Sequence, residues 1–573
     1  SLAPAGARRK ARQTFGCRPT PSARSAGRGR SCEAMKVVIT GGFGFLGRQL
    51  CRRILANGEL TGPDDERVAV SEVLLFDRAP EAPAGLAHDP RVRMLSGDIT
   101  DPATCRSLVD RDGVLLFHLA SIMSGQGEAD FDLCMQVNLQ GTQNLLEACR
   151  ARKGSRFIFA SSGACFGERP EGPETDSMKL LPYTTYGTTK AIGELLINDY
   201  SRKGFLDGRC ARLPTVIPRP EVNSGLPAAF SAVIREPLKG QDVVVDVDPE
   251  MKHAVCGFRS LVRNLLHLAE LPEAAFADSS DRAMNMPCLS LTCRELHEAV
   301  KAVVAEPAKL GSVTYKPDPA VMEKLSKFHH NMDASRARSL GMLADSSAAA
   351  ICADFAAEYV DAGLLRPVLE IHEEPRHSMV FSNESVRVFR VEFPPGDTTL
   401  MHAHRVDSLY FFMNDIKTKG QKPLESPCED FCASGEVRYG THCSTPLFHR
   451  ITILGGAMCC LDVELLDFGR VADKEPPLKI PRTEGINPGL ELVKERPGAR
   501  VYGLTVPAGG SWAGSIPFSK ALFIVRVGAR VKGTFGDRLL RPADVFWRKE
   551  PIDVSLESLG RRDLVLWVVE VLH

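Results

Sequence analysis

A short apolar run, Lys36-Val37-Val38-Ile39-Thr40, passes without a linker into Gly41-Gly42-Phe43-Gly44-Phe45-Leu46-Gly47 and from there into a helical pattern. Few architectures use that order. An uninterrupted apolar run predicts a strand buried on both faces, which is the habit of parallel sheets. Glycines at 41, 44 and 47 permit a tight turn and let backbone amides approach a pyrophosphate, whose charge suits the N-terminus of the following helix. The next strand, Val73-Leu74-Leu75-Phe76-Asp77, ends on an acid. At that place a carboxylate accepts hydrogen bonds from an adenosine ribose and repels a 2′-phosphate, which favours NAD over NADP. Arg78 follows directly and acts against this preference, since Arg can hold a 2′-phosphate.

The same alternation continues from Met35 to about Gly363. Runs at 113–120 and 156–160 read as strands and Gln140 to Ala151 as a helix, so residues 35–363 predict an α/β domain with a doubly wound parallel sheet. From about Leu364 the texture changes to short runs between Gly, Pro and Asp turns, such as Val386 to Phe393, Ser408 to Met413 and His449 to Leu454. That is an all-β pattern. It repeats itself: Val388-Phe389 through Pro395-Gly396 to Tyr410 aligns without gaps on Val501-Tyr502 through Ala508-Gly509 to Phe523. The β half is therefore expected as two repeats, 364–485 and 486–573. A chain of 573 residues exceeds a single core, which agrees with several domains.

Residues 1–34 are rich in Arg, Ala, Ser, Gly and Pro and hold one acid, Glu33. They predict a disordered segment, either an organelle transit peptide or an upstream extension before Met35. The compartment expected is cytoplasmic, or organellar if the segment is a transit peptide. Lys+Arg and Asp+Glu balance at 71 each, which argues against a nucleic-acid partner. No apolar stretch approaches the ~20 residues that cross a bilayer, so no membrane partner is expected. Seventeen Cys without a paired spacing read as free thiols in a reducing compartment.

Tyr186-Gly187-Thr188-Thr189-Lys190 sets a phenol and an ammonium four residues apart on one helix face. A nearby ammonium favours phenolate and makes Tyr186 a usable base. The pair follows a strand ending in Ser161-Ser162, where a hydroxyl can hydrogen-bond the reacting oxygen.

The Gly41–Gly47 turn, Asp98-Ile99, the helix bearing Asn138, Ser162 with Phe166-Gly167, and Tyr186 with Lys190 together resemble the extended short-chain dehydrogenase/reductase family, a Rossmann-fold family. The likeness covers residues 35–363. Within it, 117–126, 186–204, Arg212-Leu213-Pro214-Thr215, 234–237 and 285–290 resemble the D-erythronate dehydrogenases. Cys165 before Phe166-Gly167, and Leu213–Arg219 in place of a Tyr-Gly-Pro turn, depart from the sugar-nucleotide epimerases. The resemblance implies oxidation of a secondary alcohol of a small sugar acid, with Ser162, Tyr186 and Lys190 as the catalytic set. It implies NAD contacts from Gly41, Phe43, Gly44, Phe45, Leu46, Gly47, Asp77, Asp98, Ile99, Leu119, Ala120, Asn138, Ser161, Tyr186, Lys190, Pro214 and Thr215. A polyol acid also needs an anchor for its carboxylate; Ser121, Ser124 and Arg219, beside Ser162, are the candidates. A homodimer is implied as well, because related enzymes pair through long helices. Two other readings stay open: an epimerase or dehydratase that keeps its NAD, and an NAD-binding sensor or scaffold.

In the β half, Gly396 to His404 resembles the first cupin motif. His402 and His404, two apart on a strand, share a face and can chelate a metal such as iron, manganese, nickel or zinc. His449 is the candidate third ligand. The Glu usual after the His pair is missing, and Asp407 is near but out of register. His442 is expected at the surface or in a loop. The aligned positions of the second repeat, Ser515 and Pro517, cannot ligate a metal this way. The region 364–573 therefore resembles a bicupin, a double-stranded β-helix in two copies, with one candidate metal site and one degenerate repeat; a cupin barrel that holds no metal is the alternative reading.

Overall fold

The computed structural model describes residues 34–62, 67–79, 89–167, 172–222, 225–276, 280–328, 330–423, 426–466, 489–496, 498–559 and 562–572. The leader expected over 1–34 lies outside them apart from Ala34, and so does the expected boundary between residues 485 and 486.

The N-terminal half is built on an eight-stranded sheet. Met35–Thr40 lies near its middle, with Arg67–Asp77 and then Val92–Ser96 to one side. Leu115–His118, Arg156–Ser162, Asp207–Leu213 and Ala283–Asn285 follow on the other side. All these pairs are parallel; only the short Glu59–Thr61 runs antiparallel, against the start of Arg67–Asp77. The chain winds outward from Met35–Thr40 in one direction and then returns to wind the other way from Leu115–His118. The strand ends splay apart where the direction reverses, and that crevice is where a doubly wound sheet binds its ligand. Val37, Val38 and Ile39 are fully buried, as a strand covered by helices on both faces requires. The helix expected from Gln140 starts earlier: a wider π turn over Met135–Gln140 leads into Gly141–Arg150. A second small sheet of Thr215–Ile217, His253–Gly257 and Leu289–Leu291 stands beside the first. No helix among the described residues is long and apolar enough to cross a membrane.

The C-terminal half is all β and cupin-like, and its repeat is visible in the topology. One sheet orders His377–Ser382, Val386–Phe393, Met458–Leu465, Ser408–Phe412 and Val437–Gly440. Its counterpart orders Leu490–Arg496, Ala499–Val506, Leu564–Val571, Ala521–Val527 and Val545–Arg548 in the same way. The gap-free alignment read from the sequence sets Val386–Phe393 on Ala499–Val506 and Ser408–Phe412 on Ala521–Val527. These two sheets face each other across one core, in which Val388, Leu409, Phe411 and Leu461 meet Val501, Leu522, Trp567 and Val569. Phe411 and Trp567 pack with ring centres 5.1 Å apart. A second sheet in each repeat closes its barrel; in the first it contains His402–His404 and Leu447–Gly455.

Arginines join the two halves. Arg259, on the helix Phe258–Glu270, reaches Asp397 of the first β repeat at 3.1 Å and Asp354 and Glu358 of its own half. Arg376 meets the same Asp397 at 2.9 Å, and Arg263 donates to the Ser378 hydroxyl at 2.6 Å. Because Phe411 is fully buried between the repeats, Phe411→Ala should destabilise the β half by about 3–5 kcal/mol. Urea unfolding followed by tryptophan fluorescence reads this; a loss under about 1 kcal/mol would contradict a core shared by the repeats.

Candidate active site

The turn after the first strand is shaped by close approach. Gly41 has φ +71°, and a Cβ there would lie 2.8 Å from the Ala120 amide nitrogen. A Cβ on Gly47 would fall 2.4 Å from the Gly41 carbonyl oxygen. The glycines thus let the helix Phe45–Asn57 start directly against the strand end. That helix has no side-chain cap and no acid in its first turn. Its first amides, which no helix can pair internally, open onto a cleft of about 350 Å³ whose wall includes Gly41, Gly44, Phe45, Leu46 and Gly47. An anionic pyrophosphate fits this donor set, since the helix end offers both N–H groups and the positive pole of the dipole.

Asp77, Asp98, Ile99, Leu119, Ala120, Ser161, Tyr186 and Lys190 line the same cleft, together with Ser121 and Arg219. Asp77 accepts from the Phe43 amide at 3.0 Å, which ties the acid to the glycine turn. Phe43 contributes through that amide; its ring is buried and does not reach the cleft. Asp98 accepts from Thr100 N at 2.8 Å. Sequence reasoning missed Gly97, Ile122, Met123, Val137 and Leu213 as wall residues. Val137 sits in the π turn and the others in loops and at a strand end, and a glycine or an apolar side chain there carries no chemical signal.

Asn138 stands elsewhere than expected. Its amide is taken up by the loop after Leu115–His118: Oδ1 accepts from Ile122 N at 2.7 Å, and Nδ2 donates to Ile122 O at 3.0 Å and to Thr189 Oγ1 at 3.3 Å. It does not line the cleft. The π turn that carries it swings the side chain toward this loop, so Asn138 positions the cleft wall and ties it to the helix of Tyr186. His118 is likewise structural, bridging Thr40 and Thr142 at 2.7 and 2.9 Å, and burial pushes it down to about 3, which keeps it neutral.

Tyr186 and Lys190 lie on the helix Thr185–Arg202, which Thr184 caps by accepting from Gly187 N at 3.1 Å. Gly187 lets this helix touch the turn after Ser162; a Cβ there would sit 2.3 Å from Ala164 O. The Lys190 ammonium lies 5.5 Å from the Tyr186 ring centre and 4.7 Å from that of Phe159. Burial holds the Tyr186 phenol up, to about 12, against a hydrogen bond from Ser162 and the charge of Arg219. Burial pushes Lys190 down to about 8. The Ser162 hydroxyl also accepts from Ala164 N at 3.1 Å. Ser161 donates to Glu194, which forms a buried ion pair with Arg212 at 2.8 Å.

A smaller cavity of about 90 Å³ continues from Tyr186 and holds Ser124, Ser162, Pro214, Thr215, Ser231 and Arg219. Pro214 and Thr215 therefore border this side chamber rather than the larger cleft, and Thr215 is bonded to His253 at 2.7 Å. Arg219 touches both spaces and has no ion pair among the described residues; its amide bonds Ser231 Oγ at 3.3 Å. Ser121 bonds the Ile122 carbonyl at 3.2 Å. The smaller cavity mixes these polar groups with Met123, Leu213, Val216 and Phe328, carries one cation and opens on Tyr186.

In the β half, His402, His404 and His449 converge on one cavity. Asp407 does not join them: its carboxylate accepts from Tyr439 OH and Cys443 N, each at 2.8 Å. His442 is buried rather than exposed, and bonds Tyr410 OH at 2.8 Å. His377, which no sequence motif marks, lines the same cavity.

Among known proteins, a family model described as NAD dependent epimerase/dehydratase family matches residues 37–275. D-erythronate dehydrogenase of Cupriavidus necator is 41% identical over 315 residues, 55% of this chain and 95% of that protein. Its namesake in Haemophilus influenzae is 37% identical over 317 residues, 55% of this chain and 96% of that one. A crystal structure titled as the nucleoside-diphosphate-sugar epimerase from Agrobacterium tumefaciens superposes with a TM-score of 0.53 at 34% identity, covering 60% of this chain and 100% of its own.

The unfilled approach of helix to strand at Gly47 generates a direct test. Gly47→Ala should weaken NAD binding by at least about tenfold, a cost of about 1.4 kcal/mol, as read by titration calorimetry. Unchanged affinity would mean that this turn is not the pyrophosphate site.

Proposed function

The chain belongs to the NAD dependent epimerase/dehydratase family, and from that premise we propose that it oxidises a secondary hydroxyl of a small, D-erythronate-like sugar acid to the keto acid. The observation that carries the substrate class is Arg219. It forms no ion pair among the described residues, with Glu221 acting on it only as a nearby charge, it borders the side chamber, and it is near enough to Tyr186 to act on its charge. A carboxylate bound there would leave a neighbouring hydroxyl facing the phenol. Ser121, Ser124 and Ser231 supply hydrogen bonds for the remaining hydroxyls.

Tyr186 takes the hydroxyl proton as the base. Ser162 has one proton to donate: before substrate binds it steadies the phenolate, since a hydrogen bond to the charged form favours it, and it turns to the substrate oxygen once the alcohol hydroxyl bonds Tyr186. Lys190 keeps a positive charge on the same helix face at pH below about 8 and faces the cleft where the nicotinamide ribose would lie. The glycine turn, Asp77 and the loop held by Asn138 seat the dinucleotide. Bound NAD supplies the hydride acceptor. An epimerase uses the same residues but returns the hydride, and the relative from Agrobacterium tumefaciens carries such a title. The departures at Cys165 and at Leu213–Arg219 favour the dehydrogenase.

Tyr186→Phe should lower kcat by about 10²–10⁴-fold. Arg219→Leu should raise KM for the acid by about 10–100-fold, the worth of one charge-assisted hydrogen bond, and should change kcat little. Because Tyr186 must shed its proton before oxidation, and burial holds that proton, kcat/KM should rise with pH. Lys190→Met should push this rise to higher pH. Steady-state NADH kinetics check all three, and a Tyr186→Phe protein that turns over like the parent would contradict the mechanism.

A further inference from the structure

The first β repeat places four imidazoles against one another in its interior. His402 Nε2 lies 3.1 Å from His404 Nε2, which lies 3.0 Å from His449 Nε2. The His377 ring centre is 4.6 Å from that of His402, and ligand nitrogens of His377, His402 and His404 all fall within 4.8 Å of one another. His377 and His404 are nearly fully buried and His402 fully so.

The opposite side of each ring decides where the protons are. His402 Nδ1 is 2.8 Å from the Leu400 carbonyl, and His377 Nδ1 is 2.7 Å from a Glu374 carboxylate oxygen. His404 Nδ1 is 3.2 Å from Asp462 and 3.3 Å from Tyr410 OH. A carbonyl and a carboxylate only accept, so the Nδ1 atoms they face carry hydrogen. With Nδ1 of His402 and His404 so occupied, their Nε2 atoms face each other and the Nε2 of His449. Lone pairs at about 3 Å repel unless a cation lies between them. Carboxylates behind His377 and His404 complete the carboxylate–histidine pattern that orients metal ligands.

We propose that His377, His402, His404 and His449 form a divalent transition-metal centre, in which His377 stands in for the carboxylate that the sequence pattern leads one to expect. The stand-in is required by what the nearby acids do. Asp407 is held by Tyr439 and Cys443, and Asp462 lies on the far side of the His404 ring. An all-imidazole set selects zinc, iron, copper or nickel and disfavours magnesium and calcium. The four rings all lie on the wall of a cavity of about 330 Å³, whose exposed lining is mostly apolar, with Phe393, Phe412, Ile451 and Met458 among it, and which Lys422, Asp430 and Arg438 also border. The ion's remaining positions face that cavity, so this is an open centre for a small ligand with one oxygen or nitrogen donor and an apolar body. Such a ligand is unlike the polyol acid of the Tyr186 chamber. The centre therefore adds a second ligand class to the chain and does not rest on the dehydrogenase reading.

The test uses the full chain, stripped with a chelator and titrated with Co²⁺, followed by elemental analysis and by the visible d–d bands. One equivalent should bind, and azide should shift the bands. His377→Ala should weaken Co²⁺ binding by at least about tenfold, whereas His372→Ala, at an exposed histidine nearby in sequence, should bind as the parent does. Circular dichroism and the urea midpoint of the metal-free proteins show that each variant is folded. Retention of parental affinity by folded His377→Ala would overturn the role of His377. No Co²⁺ bound by the folded parent would overturn the centre, leaving a shared proton as the occupant. Bands indifferent to azide would overturn its open side.

Discussion

The buried ion pair between Glu194 and Arg212 holds the chemistry of the N-terminal half in place. Glu194 is on the helix of Tyr186 and Lys190, Arg212 is on the strand Asp207–Leu213, and Ser161 donates to the same carboxylate from the neighbouring strand. The middle of the helix is thus pinned to the C-terminal ends of two neighbouring strands, one of which carries Ser162. Desolvating both charges is costly, and removal of either partner alone would leave a buried charge worth about 3–5 kcal/mol of stability. Such a pair serves position more than stability: it fixes how far the helix slides along the sheet, and hence where the Tyr186 phenol meets Ser162.

The cleft around that helix divides its polarity. At one end the uncapped amides of Phe45–Asn57 and the acid of Asp77 suit a dinucleotide. At the other, Arg219 is the cation of a small chamber of mixed polar and apolar lining. Tyr186 lies where the two spaces join, and burial raises its phenol, so the proton leaves only when charge nearby compensates. The counterweights are the hydrogen bond of Ser162 and the charge of Arg219; in the proposed reaction this would link substrate anchoring to the readiness of the base. The interior of the β half follows a different rule. There, imidazoles face one another, with carboxylates behind His377 and His404 and a carbonyl behind His402, so the polarity points inward to a single spot.

Much of this is written locally in the sequence. The strand–glycine–helix order, the Tyr186–Lys190 spacing and the gap-free β repeat each depend on a few adjacent residues, and each has its counterpart in the structure. What sequence reading missed depends on contacts across the chain. Asn138 was expected at the cofactor; a π turn, which has no sequence signature, directs it to Ile122. His442, expected at the surface or in a loop, lies in a turn but is buried against Tyr410, whereas Asp407, read as out of register, is held by Tyr439 and Cys443. His377 comes from a strand ahead of the motif and reaches His402 only through barrel closure, with Glu374 as the single local hint.

The central claim is that the chain transfers hydride from a sugar acid to NAD and releases NADH. The direct measurement is NADH absorbance with the full chain, NAD and a panel of erythronate, threonate and longer aldonic acids, with UDP-sugars alongside. The account predicts net NADH with a four-carbon acid and none with the UDP-sugars. Conversion of a UDP-sugar to its epimer, with no NADH from any acid, would contradict it.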